Sequence, residues 1–315
     1  MTETSGTGEG ASVASSGVPG FDASRTGRIS YQGEAGANSH VACQHVFPNM
    51  VPVPCATFED ALQATQSGDA DYAMIPLENT LAGRVADVHL LLPAATLYII
   101  GEYFLPIQYD LMAPHGATRA GIKNVYSHVH ALGQCRRIIR ELGARAHVSS
   151  DTAGAAREVS EAGDVHSAAL APPLAADHYD LTVLDRAVAD DVRNTTRFVI
   201  LGSQPEDADA DAGDCVTTFI FRVRNVPAAL YKGLGGFATN GVNMTKLESY
   251  QIDGAFTATV FYADIEGHPD DRNVRLALEE LSFFSSEVRI LGTYLASPYR
   301  AAARQRAAEL ATGIA

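Results

Sequence analysis

The five residues Asn194-Thr195-Thr196-Arg197-Phe198 run straight into the apolar stretch Val199-Ile200-Leu201. A hydroxyl and a guanidinium at the end of a buried strand suit anion binding and help for a departing hydroxyl. Arg197 carries the planar fork that grips a carboxylate, and Thr196 beside it can donate a hydrogen bond. The same residues would also serve as a solvated ion-pair turn with Asp190, Asp191 and Arg193.

Three other segments offer polar groups at element ends. Ile75-Pro76-Leu77-Glu78-Asn79-Thr80, with Gly83 after it, is an apolar strand that ends in polar residues, the place where α/β proteins build sites. Its plainer use is a capping turn. Tyr126-Ser127-His128 precedes Gln134-Cys135, so Ser127 at a strand end and Gln134 on the next helix can face one cleft. Adjacent Ser127 and His128 do not present side chains to each other, and no G-x-S-x-G elbow occurs, which disfavours a nucleophilic hydrolase. Gln32-Gly33-Glu34-Ala35-Gly36-Ala37-Asn38-Ser39-His40 has glycines that let a ligand approach the backbone and a helix start with free amides. An ordinary βα turn has the same composition.

The elements that must carry these groups alternate between strand and helix. Strands are expected at 28–32, 71–77 and 124–127, with one long strand or two over 97–113. Helices are expected at 37–47 and at 131–142, where Leu132, Cys135, Ile138, Ile139 and Leu142 share a face. Asp151 is placed to cap the next helix. Alternating βα units predict an α/β fold with a mostly parallel sheet. The length suggests two lobes, about 28–105 plus 185–203 and 106–184, with the site in the cleft between them. Residues 204–214, containing Pro205 and an acidic run, are linker-like. After them come a strand at 216–223, a helix at 229–239 and a strand at 244–250. An Asp253-Gly254 turn, a strand at 256–264, a helix carrying Val274, Ala277, Leu278, Leu281 and Phe284, and a strand at 288–295 follow. That order, βαββαβ, is ferredoxin-like. Residues 301–315 form an Ala-rich tail with helical character.

Composition narrows the class. The 315 residues are 46% hydrophobic and 19% charged, as in a globular protein with a sizeable core. A net charge of −14 argues against nonspecific nucleic-acid binding, yet leaves room for a locally positive cleft. Cys43, Cys55, Cys135 and Cys215 form no CxxC pair and no zinc spacing, so reduced thiols, no metal and a cytoplasmic setting are expected. No apolar run approaches the ~18 residues of a membrane span. The first 27 residues lack the features of a secretion signal and are expected to be a disordered tail.

Taken together and in this order, Q-G-x-x-G, I-P-x-E-N, Y-S-H with Q-C, Asp151-Thr152-Ala153-Gly154-Ala155-Ala156 and N-x-T-R-F resemble the prephenate dehydratase family. The C-terminal unit resembles an ACT regulatory domain, and the likeness spans roughly residues 28–300. It implies a two-lobed catalytic region like the type-II periplasmic binding proteins, followed by a regulatory domain over about 215–300. It implies conversion of prephenate to phenylpyruvate in phenylalanine biosynthesis, without metal or redox cofactor. Thr196 would assist the departing hydroxyl. Arg197 would bind an anion or orient the site, and Asn79, Ser127 and Gln134 would position substrate. Thr80, Thr195, Phe198 and Gly33 would line or support the site.

Two departures from the family pattern stand out. Val129-His130 replaces the usual Pro-Gln after Ser127-His128, which keeps arogenate open as an alternative substrate. The effector segments, usually G-A-L and E-S-R-P, read Ala228-Ala229-Leu230 and Glu248-Ser249-Tyr250-Gln251, while Gly241-Val242-Asn243 is kept. Phenylalanine feedback with altered affinity is expected through Ala228, Ala229, Leu230, Asn243, Glu248 and Ser249, in a homodimer or homotetramer. A non-catalytic amino-acid sensor is the rival of another class. A chorismate mutase fusion is disfavoured by the short, polar leader.

Overall fold

Three sheets organise the described residues. The structure, a computed structural model, describes residues 18–224, 226–251 and 259–312. The first lobe contains β1 (Gly27–Gln32), α1 (Asn38–Val46), β2 (Met50–Cys55), α2 (Phe58–Gln66), β3 (Tyr72–Asn79), β4 (Gly83–Arg84), α3 (Ala86–Leu91) and β5 (Tyr98–Pro106). The second contains β6 (Asp110–Ala113), β7 (Asn124–Ser127), α4 (Val129–Gln134), α5 (Arg136–Leu142), β8 (Arg145–Val148), α6 (Thr152–Ala162), β9 (Ser167–Ala171), α7 (Pro173–His178) and β10 (Thr182–Asp185). The chain then returns as β11 (Thr195–Gly202), which inserts between β3 and β5. Sheet orders are β2-β1-β3-β11-β5, with β4 on β3, and β10-β6-β9-β7-β8.

These sheets are mixed rather than mostly parallel. β1 pairs in parallel with β2 and β3, whereas β11 runs antiparallel to both its neighbours. The reason is the route: the chain leaves the first lobe along β5 and re-enters against it. The expected helix at 131–142 is also two. Cys135 (φ −125°, ψ 34°) interrupts it. There the Asp190 backbone N–H donates to the Gln134 carbonyl at 2.7 Å. The Asp190 carboxylate accepts from the amides of Arg136 at 2.9 Å and Arg137 at 3.2 Å. A carboxylate on the return crossover thus starts a new helix and fixes Gln134 at the end of the old one. Asp151 caps α6 as expected, accepting from the Gly154 amide at 2.7 Å.

The C-terminal unit runs β12 (Cys215–Val223), α8 (Ala229–Thr239), β13 (Met244–Gln251), β14 (Thr259–Glu266), α9 (Arg272–Phe284) and β15 (Ser285–Leu295), then α10 (Pro298–Thr312). Its antiparallel sheet, β13-β14-β12-β15, is ferredoxin-like. The Asp253-Gly254 turn and the start expected for the returning strand lie outside the described residues.

Of the tail expected over residues 1–27, residues 1–17 lie outside the described residues, and the described parts of the segments expected to be loose are packed. Val18 is buried, and Phe21 meets the Phe47 ring edge-on at 5.6 Å, so residues 18–27 belong to the first lobe. The linker joins β15: the Thr293 amide donates to Asp207 at 2.9 Å, and the Ala208 amide to the Thr293 carbonyl at 2.9 Å. Tyr299 of α10 stacks on Phe104 at 4.4 Å.

The first lobe and the ferredoxin-like domain share one core. Ile75, Leu77, Val88, Ile99 and Leu201 pack with Val216, Ile220, Tyr262, Leu291 and Tyr294. Gly292 lies so near the Ile99 carbonyl that a Cβ there would overlap its oxygen. His89 is 1% exposed at this seam, 5.2 Å from the Tyr262 ring and 6.2 Å from Tyr250, and neither ring nitrogen finds a hydrogen-bond partner among the described residues. Among the described residues no helix is long and apolar enough to cross a membrane.

Candidate active site

Strands β3 and β11 pair with Thr196 opposite Asn79 and Arg197 opposite Glu78. Directly opposed residues share a face, and chain neighbours take opposite faces. One face therefore carries Asn79 and Thr196, the other Glu78 and Arg197.

On the first face a hydrogen-bond chain crosses between the lobes. Asn79 Oδ1 accepts from the amides of Leu81 and Ala82 at 2.9 and 2.8 Å. Its Nδ2 must then be the donor end, and it donates to Thr196 Oγ1 at 2.9 Å and Asn194 Oδ1 at 2.7 Å. Asn194 Nδ2 donates in turn to Gln134 Oε1 at 2.6 Å, on the second lobe. Two backbone donors thus set every amide orientation in the chain. They leave the Thr196 hydroxyl proton and the Gln134 Nε2 hydrogens free to donate. Asn194 is 1% exposed and links the lobes. It heads the segment singled out from sequence, yet no sequence signal assigned it a role separate from that of Thr196.

Thr80 and Thr195 support this arrangement. Thr80 Oγ1 donates to the Arg193 carbonyl and accepts from the Thr195 amide, both at 3.0 Å. Phe198 is buried in the core beneath. Ser127 is placed differently from expectation: it is fully buried, and its hydroxyl donates to the Leu170 carbonyl at 2.6 Å. It braces β7 on β9 and offers nothing to the cleft. Gly33 (φ +115°) takes a backbone shape that favours glycine, and its amide donates to the Cys55 carbonyl. The rest of that turn joins the lobes. Glu34 pairs with Arg157 at 2.7 Å, Tyr179 donates to the Ala35 carbonyl at 2.8 Å, and Gly36 abuts the Ala175 backbone.

Arg197 departs from the expectation that it binds an anion beside Thr196, while its alternative role of orienting the site is unaffected. Its guanidinium lies on the far face, 3% exposed, and contacts Glu102 at 2.8 Å, Glu78 at 3.0 Å and Asp264 at 2.5 Å. Burial opposes its charge, but Asp264, Tyr294 and Glu102 outweigh that and raise its pKa above the usual arginine value. Burial likewise pushes the Asp264 and Glu78 carboxyls up, and Arg197, with Arg300 beside Asp264 and Lys246 beside Glu78, more than reverses it. The strand alternation separates Arg197 from Thr196, so the pair does not meet one ligand.

Beside Gln134 a cavity of about 430 Å³ is lined by Leu81, Ala82, Val129, His130 and Arg136, with Asp190 and Asp191 also on its wall. No ion pair to the Arg136 guanidinium occurs among the described residues, which makes it a cation available to an anion there. Burial, with His130 beside it, lowers the pKa of His128 and favours its neutral form. Asp151 is raised, chiefly by burial. Among the described residues no three His, Cys, Asp or Glu side chains gather as cation ligands do.

The expected effector residues fall into two separate groups. Ala228 begins α8 in a left-handed conformation (φ +61°), Ala229 is buried, and Leu230 packs on the domain core. On the other side, Asn243 donates to Glu266 at 3.0 Å, Glu248 lies 3.5 Å from Arg84, and the Ser249 carbonyl faces Arg84 at 3.4 Å. No hydrogen bond or ion pair joins the two groups among the described residues.

Known proteins carry the same pattern. The sequence profile described as prephenate dehydratase matches residues 29–206. A bifunctional N-acyl-homoserine lactone acylase/prephenate dehydratase of Komagataeibacter europaeus is 47% identical over 272 residues, covering 86% of this chain and 97% of that protein. An arogenate dehydratase/prephenate dehydratase of Arabidopsis thaliana is 36% identical over 281 residues, covering 85% and 71%. The solved prephenate dehydratase of Arthrobacter aurescens in complex with L-Phe superposes with a TM-score of 0.79, at 29% identity, covering 91% of this chain and 99% of that one. With its profile match, these relatives and the Asn79–Thr196 network on the expected strands, the chain belongs to the prephenate dehydratase family.

Proposed function

We propose that the chain dehydrates and decarboxylates prephenate to phenylpyruvate for phenylalanine synthesis. The observation that carries this is the forced direction of the Asn79 network, which leaves the Thr196 proton free to donate. In the reaction the ring carboxylate leaves as CO₂ and its bond pair enters the ring. The C4 hydroxyl departs with its own pair and gains a proton to become water. Aromatisation drives both. A threonine hydroxyl is far too weak an acid to give up its proton unaided. Thr196 acts instead as a hydrogen-bond donor whose bond strengthens as the leaving oxygen gains charge. Thr196 Oγ1 accepts from Asn79 Nδ2, so the Thr196 proton points elsewhere, toward the leaving oxygen. Gln134 offers two further donors, and Arg136 beside it is the cation for a substrate carboxylate. The test is phenylpyruvate formation from prephenate, with arogenate in parallel; wild-type turnover of neither would end this reading.

The Arabidopsis relative supports arogenate as a second substrate, and the rate ratio decides between the two. The Komagataeibacter relative supports a second reading, hydrolysis of an N-acyl-homoserine lactone. It is scored by the homoserine lactone released by the same preparation.

Phenylalanine is the effector in this proposal, supported by the L-Phe complex of the Arthrobacter protein. Tyr231 on α8 and Phe283 on α9 are 80% and 69% exposed, apolar surface that a homodimer or homotetramer would cover. Light scattering and thermal melting with and without phenylalanine test both points: a monomer whose melting temperature ignores phenylalanine contradicts them.

A further inference from the structure

Two neighbouring pairs of residues face opposite ways. Asn79 and Thr196 turn to the hydrogen-bond chain that crosses between the lobes; Glu78 and Arg197 turn to the ferredoxin-like domain. There Arg197 donates to Glu102, Glu78, Asp264 and the Tyr294 hydroxyl, the last at 2.9 Å, which commits Nε and both terminal nitrogens. Asp264 and Tyr294 stand on β14 and β15, and Asp264 accepts also from Thr218 at 2.7 Å. Arg300 of α10 donates to both oxygens of Glu102, at 2.6 and 2.8 Å. Lys246 of β13 donates to Glu78 at 2.7 Å. Three cations meet three carboxylates, and the cluster spans both domains. A second tie runs beside it, from Arg84 after the Asn79 turn to Glu248 and the Ser249 carbonyl.

We propose that Arg197 and Glu78 are positioning residues, which hold Thr196 and Asn79 through the backbone of β11 and β3 while anchored to Asp264 and Lys246 of the ferredoxin-like domain. The seating of that domain then sets the turnover of the cleft. Successive residues on a strand are about 3.3 Å apart, so a displaced Arg197 carries Thr196 with it. A misplacement of about 1 Å can cost on the order of a hundredfold in rate. Arg197 itself does not touch substrate. The inference rests on Thr196 being the donor of the proposed dehydration.

Steady-state kinetics on prephenate test it with Asp264→Asn and Lys246→Met, two changes on the face turned away from the cleft. Asp264→Asn is expected to lower kcat about tenfold or more with KM within about twofold, and Lys246→Met to lower kcat about threefold in the same pattern. Asp264→Glu is expected to recover most of the loss. Wild-type kcat in a folded Asp264→Asn would overturn the proposal. So would Arg197→Lys with a KM raised about tenfold at unchanged kcat, the mark of a lost substrate ligand. If Asp264→Asn does not fold, Lys246→Met decides by the same criterion. If the wild-type chain turns over no prephenate, the proposed function fails and the inference falls with it; wild-type kcat in a folded Asp264→Asn, with the wild-type chain active, overturns the inference alone.

Discussion

Asn79 sets the polarity of the cleft network because two backbone amides claim its carbonyl oxygen. An Asn79→Asp variant keeps that acceptor but replaces the donor end with a second acceptor. Thr196 would then turn its proton toward the new carboxylate rather than substrate. We expect kcat to fall about a hundredfold with the fold intact, as for loss of one transition-state donor; near-normal kcat would refute the donor assignment. That Thr196, Asn79 and Gln134 come together was legible in the sequence because each sits at an element end among other polar groups. The directions of Arg197 and Ser127 were not. Which face a strand residue takes depends on its pairing, and Arg197 is aligned with Glu78 by a strand from more than a hundred positions away.

At the scale of elements, Ala228 begins α8 with φ +61°, a region that disfavours a Cβ. Ala228→Gly is expected to stabilise the domain by about 1 kcal/mol and raise the melting temperature by a few degrees; a lower melting temperature would contradict the strain. Gly292→Ala is expected to act in the opposite sense and more strongly. Its methyl would overlap the Ile99 carbonyl and push β15 off β5. The loss is on the order of 3 kcal/mol, and calorimetry would show it. The order of the elements and the βαββαβ unit were readable from periodicity and turn residues. The break at Cys135 was not, since the carboxylate that splits the helix, Asp190, is remote in sequence. The mixed pairing of the first sheet was hidden for a similar reason: β11 reads as another apolar strand, and only the route of the chain reverses it.

For the whole molecule, the seam between the first lobe and the ferredoxin-like domain is a shared core, invisible to local sequence patterns. His89 lies in it without a hydrogen-bond partner among the described residues. Burial is the main reason its pKa falls from 6.5 to about 4. Below about pH 6.5 the unfolded chain takes up a proton that the folded chain refuses, so stability falls until about pH 4. His40, His45 and His128 are lowered as well. His89→Phe should therefore flatten, though not abolish, the decline in melting temperature between pH 6.5 and about 4. Glu78 and Asp264, with lowered pKa values, stabilise at neutral pH and lose that contribution only as pH falls below about 4.5 and 3.8. An unchanged slope in His89→Phe would show that the seam is wet or open.

The most direct test of the Thr196 assignment compares Thr196→Ser and Thr196→Val on prephenate. Serine keeps the donor and valine keeps the shape. With Thr196 as donor to the departing hydroxyl, Thr196→Val should lose about two to three orders of magnitude in kcat at nearly constant KM, and Thr196→Ser should stay within about tenfold of wild type. A Thr196→Val enzyme within about threefold of wild-type kcat would contradict that role.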